Sequence, residues 1–146
     1  MAEILFFIIG IINSIILITI FLIRKNNLDG LQKYGKLYFL LVFPAAANIF
    51  LVINENKDVR YIIFLAIFLV FLLIEWLFDY KLKINFRENW LKNWKWILPY
   101  LSLYYAMNYG FVVMPWKTHI SWGIVMLCLF IVQIVANIRS HPKLRT

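Results

Sequence analysis

The sequence predicts an all-α polytopic membrane protein with five transmembrane helices. Three observations carry that prediction: five apolar runs of spanning length, charged residues held mostly between those runs, and basic residues concentrated in alternate connections. Hydrophobic residues make up 64% of the 146-residue chain and charged residues 15%, where soluble domains carry about 25% charged residues. In water, apolar runs on this scale would need a much larger protein around them. A bilayer removes that need, because a lipid-facing helix can be apolar all round. The chain 1–146 therefore reads as a single transmembrane domain.

The runs cover residues 4–23, 37–53, 61–78, 96–114 and 120–138. Each reaches about 17–20 residues, enough to cross about 30 Å of hydrocarbon at about 1.5 Å per residue. Helix is the required form, since lipid satisfies no backbone hydrogen bond. The second run is the shortest and contains Pro44, which is expected to kink it. The start MAEILFFIIG carries Glu3 and no basic stretch, so no cleavable signal peptide is expected and the first run stays as a helix.

Charge orients the chain. Of 15 lysines and arginines, only Lys57, Arg60 and Lys117 fall in the poorer set of connections. The richer set belongs on the cytoplasmic side, which places the N-terminus outside and the C-terminus in the cytoplasm. The short links at 54–58 and 115–119 should make antiparallel neighbours of the helices they join. Between runs three and four, Asn85 and Glu88 have capping-box spacing. Trp90, Leu91 and Trp94 follow on one face with Lys92 and Lys95 beside them, predicting a short cytoplasmic interfacial helix.

Polar residues inside apolar runs are the candidate site. Asn13, Asn48 and Asn108 fall near the midpoints of their runs, where helix-packing hydrogen bonds or a polar cavity would use them. Toward the cytoplasmic end lies Glu75, with Gln133, Ser102 and Thr19 at comparable depth. Asp79 follows Glu75 by four positions, so both carboxylates are expected on one face. Three states of Glu75 fit the sequence. It pairs with a basic residue such as Lys81, Arg87 or Arg24; it keeps its proton because burial disfavours the charge; or it faces water and meets a cation or headgroup. On the fourth run, Tyr100, Tyr104 and Asn108 share a face with the aromatic and hydroxyl character of a small-molecule site. Tyr105 and Tyr109 form a neighbouring stripe.

Several chemistries have no support. His119 and His141 fall on opposite sides of the predicted topology, and neither has ligand-spaced partners, so no metal and no cofactor is expected. There is no phosphate-cradling glycine motif and no activated serine. Cys128 stands alone in an apolar run. The net charge of +8 is accounted for by topology, so nucleic acid is not an expected partner.

What remains is a small integral membrane protein, expected in a prokaryotic plasma membrane, that binds or transports a small or amphiphilic solute through a polar intramembrane cavity. The expected ligand-binding residues are Glu75, Asp79, Asn108, Tyr104, Tyr100, Asn48, Asn13 and Gln133. Membrane lipids and a small-molecule or lipid ligand are the expected partners, and transport would call for a homodimer. Two alternatives keep the same residues in view. One is a membrane-embedded enzyme acting on a lipid or isoprenoid-like substrate through Glu75 and Asp79. The other is a non-catalytic subunit or assembly factor of a larger membrane complex, with the polar residues serving helix packing.

Overall fold

A computed structural model describes residues 1–26, 35–82 and 93–140. It is all-α, with five helices in sequence. Helix α1 is Ala2–Asn26, α2 is Val42–Asn54, α3 is Val59–Trp76, α4 is Trp94–Thr118 and α5 is Ile120–Ser140. A 3-10 segment, Gly35–Leu41, runs directly into α2, and a π-helical turn, Leu77–Lys81, extends α3.

Among the described residues, four helices, not five, are long and apolar enough to cross a membrane: Ala2–Arg24, Gly35–Asn54, Val59–Lys81 and Ile120–Ser140. This corrects the five-span assignment. The exception is α4, which has the length, at 25 residues, but is the least apolar of the five helices. Its lysines near both ends, Asn108 and its tyrosines account for the shortfall. It packs instead among α1, α3 and α5. Termini on opposite sides of the membrane require an odd number of crossings, and four spans overturn that orientation. The expected interfacial helix, with Asn85, Arg87, Glu88, Trp90, Leu91 and Lys92, lies outside the described residues. Trp94 and Lys95 begin α4. The outward faces of the span-competent helices are apolar, with Ile4, Ile15, Leu22, Phe43, Phe50, Leu73 and Ile131 all exposed. Such faces suit lipid rather than water, and the whole is consistent with an integral membrane protein.

Local chemistry explains the connections. Asn56 adopts a positive φ of 49°, a conformation asparagine tolerates better than most residues. The Asn56 and Lys57 N–H groups bond back to Ile53 O and Val52 O, closing the end of α2. Asp58 then caps α3 by accepting from the Arg60 N–H at 2.9 Å. The link between α4 and α5 is tighter than expected. Pro115 to Thr118 belong to α4, and His119 alone, in extended conformation, reverses the chain. Pro44 sits in the first turn of α2, just after the 3-10 segment, where its missing N–H costs little helical bonding.

Ring and hydrogen-bond contacts give the register. Helix α1 runs antiparallel to α2: Glu55 meets the Met1 amino group at 3.0 Å and the Ala2 N–H, while Tyr38 meets Asn13. Those two donors hold the Glu55 carboxyl below its ordinary acidity range. Phe6 packs edge-on against Tyr61 of α3 at 5.0 Å. Helix α4 is antiparallel to α3, with Tyr61 bonded to Thr118 at one end and Phe78 against Trp96 at the other. Helix α5 runs parallel to α1, because Phe7 stacks on Trp122 at 4.6 Å and Gly10 abuts Met126 one turn further along.

Candidate functional site

A buried polar layer lies toward the end of the bundle remote from Met1, and four helices and the 3-10 segment before α2 contribute to it. From α1 come Asn13 and Ser14, from the 3-10 segment Tyr38, from α3 Glu75, from α4 Tyr100 and Tyr104, and from α5 Gln133. Every one of these is buried. The Tyr38 hydroxyl donates to Asn13 Oδ1 at 2.6 Å. The same hydroxyl lies within electrostatic reach of Glu75, Tyr100 and Tyr104. Phe71 walls the layer, 5.5 Å from the Tyr100 ring and 6.1 Å from that of Tyr104, and the Phe21 ring lies 6.4 Å from that of Tyr104. The register of α1 on α5 carries Gln133 to the level of Leu17, one turn beyond Asn13 and Ser14.

Several polar atoms of this layer are fully buried without a hydrogen-bond partner. They are Asn13 Nδ2, Ser14 Oγ, Tyr104 Oη, and both Nε2 and Oε1 of Gln133. A buried polar atom left unmatched costs on the order of 1–3 kcal/mol. Ser14 is instructive because a helical hydroxyl can satisfy itself by bonding one turn back. Thr19, Ser102, Thr118 and Ser140 all do so, to Ile15 O, Leu98 O, Met114 O and Asn137 O. Ser14 does not.

The expected site residues separate into four groups. Glu75, Tyr100, Tyr104, Asn13 and Gln133 belong to the layer. Asn108 is buried beside it, and its Nδ2 is occupied by Tyr104 O at 2.9 Å. Asn48 is elsewhere. With its amide oriented to complementary partners it bonds Ala2 O at 3.0 Å and Phe6 N at 3.2 Å, which ties α2 to the start of α1. Asn48 and Asn13 are thus not at one depth, because α2 enters the bundle through its 3-10 segment. Asp79 is half-buried within the π turn. That turn is wider than an α-helical one, so the spacing from Glu75 to Asp79 is not that of a regular α-helix throughout. Thr19 and Ser102 point outward with their hydroxyls satisfied. Tyr105 and Tyr109 are exposed.

Two members of the layer were not singled out from sequence. Tyr38 stands at the edge of its run, where tyrosine ordinarily reads as an interfacial anchor. Ser14 adjoins Asn13, and only the position of α5 shows that both residues are buried. The signal for Ser14 in the sequence is polarity next to polarity inside an apolar run. Among the described residues, no three of His, Cys, Asp and Glu converge as metal ligands would. His141 lies outside them. No family model, no curated protein and no solved structure matches the chain.

Proposed function

We propose that this protein binds a small or amphiphilic solute at the buried polar layer, as a binding or transport component of a prokaryotic plasma membrane. The observation that carries the reading is that α1, α4 and α5 each bury polar atoms without partners, Tyr104 among aromatic rings and Gln133 at the level of Leu17 by helix register. Polar groups that serve only helix packing are expected to find partners when the helices close, as Asn48 and Asn108 do. A ligand head supplies partners in the same places. Tyr38, Tyr100 and Glu75 then form the polar rim beside the ligand, and Phe21, Phe71 and Leu17 receive its carbon skeleton. Transport, as opposed to binding, would call for a second copy of the chain, since five helices are few for alternating access.

The test is accessibility at the centre of the layer. In vesicles, Gln133→Cys in a Cys128→Ala background is treated with a small water-soluble thiol reagent. A site that admits solutes gives labelling at position 133, and a polar ligand head in the site slows it. No labelling, with the protein folded, would mean a packed interior and would leave these residues to helix association in a larger complex.

A further inference from the structure

Resting on that reading, we infer that the layer selects an uncharged head bearing hydroxyl groups, of the kind carried by glycerol or by a monoacylglycerol. The unmatched atoms decide the class. Asn13 Nδ2 and Gln133 Nε2 can only donate, Gln133 Oε1 can only accept, and the Tyr104 and Ser14 hydroxyls do either. The complementary head must therefore both accept and donate. An ammonium group offers donors alone and leaves the two amide N–H groups unmet. A fully ionised phosphate offers acceptors alone, leaves Gln133 Oε1 unmet, and places its charge near the Glu75 carboxyl. A hydroxyl accepts from an amide and donates to a carbonyl at once, and two adjacent hydroxyls match both ends of the Gln133 amide. All the unmatched groups are neutral, so a neutral head is taken out of water without stranding a charge.

The geometry suits such a head. By register Gln133 lies one turn from Ser14 along the seam between α1 and α5, and Tyr104 of α4 has the rings of Phe21 and Phe71 in contact with its own. Hydroxyl and amide groups thus stand beside apolar walls, which is the composition that recognises a short polyol on a carbon chain.

The test uses the full chain in phosphatidylcholine nanodiscs and reads its melting temperature. The probes are monolauroylglycerol, dodecylammonium and dodecyl phosphate, with free glycerol as a fourth arm. Monolauroylglycerol is expected to raise the midpoint by roughly 3 °C, the size of a modest ligand effect in a chain of this length. That shift is expected to disappear in Tyr104→Phe, which keeps the ring and the packing, and in Gln133→Leu. A matching shift from free glycerol would place the ligand source in the aqueous phase, and a shift from the acylated form alone would place it in the lipid. Equal shifts in wild type and both variants would put the amphiphile on the outer surface and overturn the inference. A variant-dependent shift from a charged probe would overturn the ligand class and leave the site standing. No shift from any probe, with position 133 still labelled by thiol reagent, would leave water as the occupant and overturn the inference alone. Absence of both shift and labelling would sink the site as well.

Discussion

Gln133 concentrates the energetics of the layer in one side chain. Both of its amide atoms are buried without a partner, so an apolar side chain of similar volume should be better tolerated than the native residue. Gln133→Leu is expected to raise stability in the absence of ligand by about 1–3 kcal/mol, measured by denaturation in lipid or mild detergent. A loss of stability instead would show that the amide is already satisfied, and the site would lose its central member. Tyr38 is the opposite case. Its hydroxyl holds Asn13 at 2.6 Å, and Tyr38→Phe should cost about 1–3 kcal/mol by stranding Asn13 Oδ1 in the interior. Adding Asn13→Leu to that variant should recover part of the loss, because the unmatched partner is then removed too. Such residue-level effects are readable only because the structure pairs one atom with another.

At the level of elements, the helices are set by their ends and by their closest approaches. Asp58 accepts from the Arg60 N–H at the start of α3, and Asp58→Ala is expected to cost about 1 kcal/mol. Unchanged stability in that variant would show that the cap contributes nothing in its exposed setting. Gly110 allows α4 to lie against α3. A Cβ there would fall 2.8 Å from Phe64 Cβ and still closer to its ring. Since the nearest atoms belong to a ring and its root rather than to a flexible tip, Gly110→Ala should destabilise by about 1–3 kcal/mol. Pairing it with Phe64→Leu should relieve much of that, and strict additivity of the two losses would argue against the contact. The 3-10 segment before α2 and the π turn after α3 also belong to this level. Phe39 meets Tyr80 edge-on at 5.4 Å where the two irregular stretches touch, next to Glu75 and Tyr38. Neither stretch was visible as a break in apolar periodicity, because both keep a helical sense while changing its pitch.

For the whole molecule, the decisive feature is that α4 turns polar side chains toward its neighbours among apolar ones such as Ile97, Met107 and Phe111. Tyr100, Tyr104 and Asn108 are buried, while Leu98, Tyr105 and Tyr109 look outward. Its place therefore depends on the other helices far more than that of α1 does. In a membrane-insertion assay with isolated segments, α1 is expected to insert efficiently and α4 poorly. Equal insertion of both would mean that α4 needs no bundle around it. Helix α4 thus carries its buried polar side chains into contacts with α1, α3 and α5, while its other side faces outward.

The sequence by itself determined the helical class and the membrane setting, because long apolar runs leave the backbone no other way to satisfy its hydrogen bonds in lipid. It also pointed to Glu75, Gln133, Asn13 and Tyr104 as costly residues inside those runs, since polarity within an apolar run is a local property. The separation of Asn48 from Asn13 and the entry of Tyr38 and Ser14 into the layer were decided by tertiary structure alone. Each depends on how one helix is rotated and set in register against another. That choice is made by contacts such as Phe7 on Trp122 and Tyr61 on Thr118, between residues far apart in the chain. Hydropathy is summed along one segment, whereas burial of a polar face is a relation between segments, and only the packed bundle contains it.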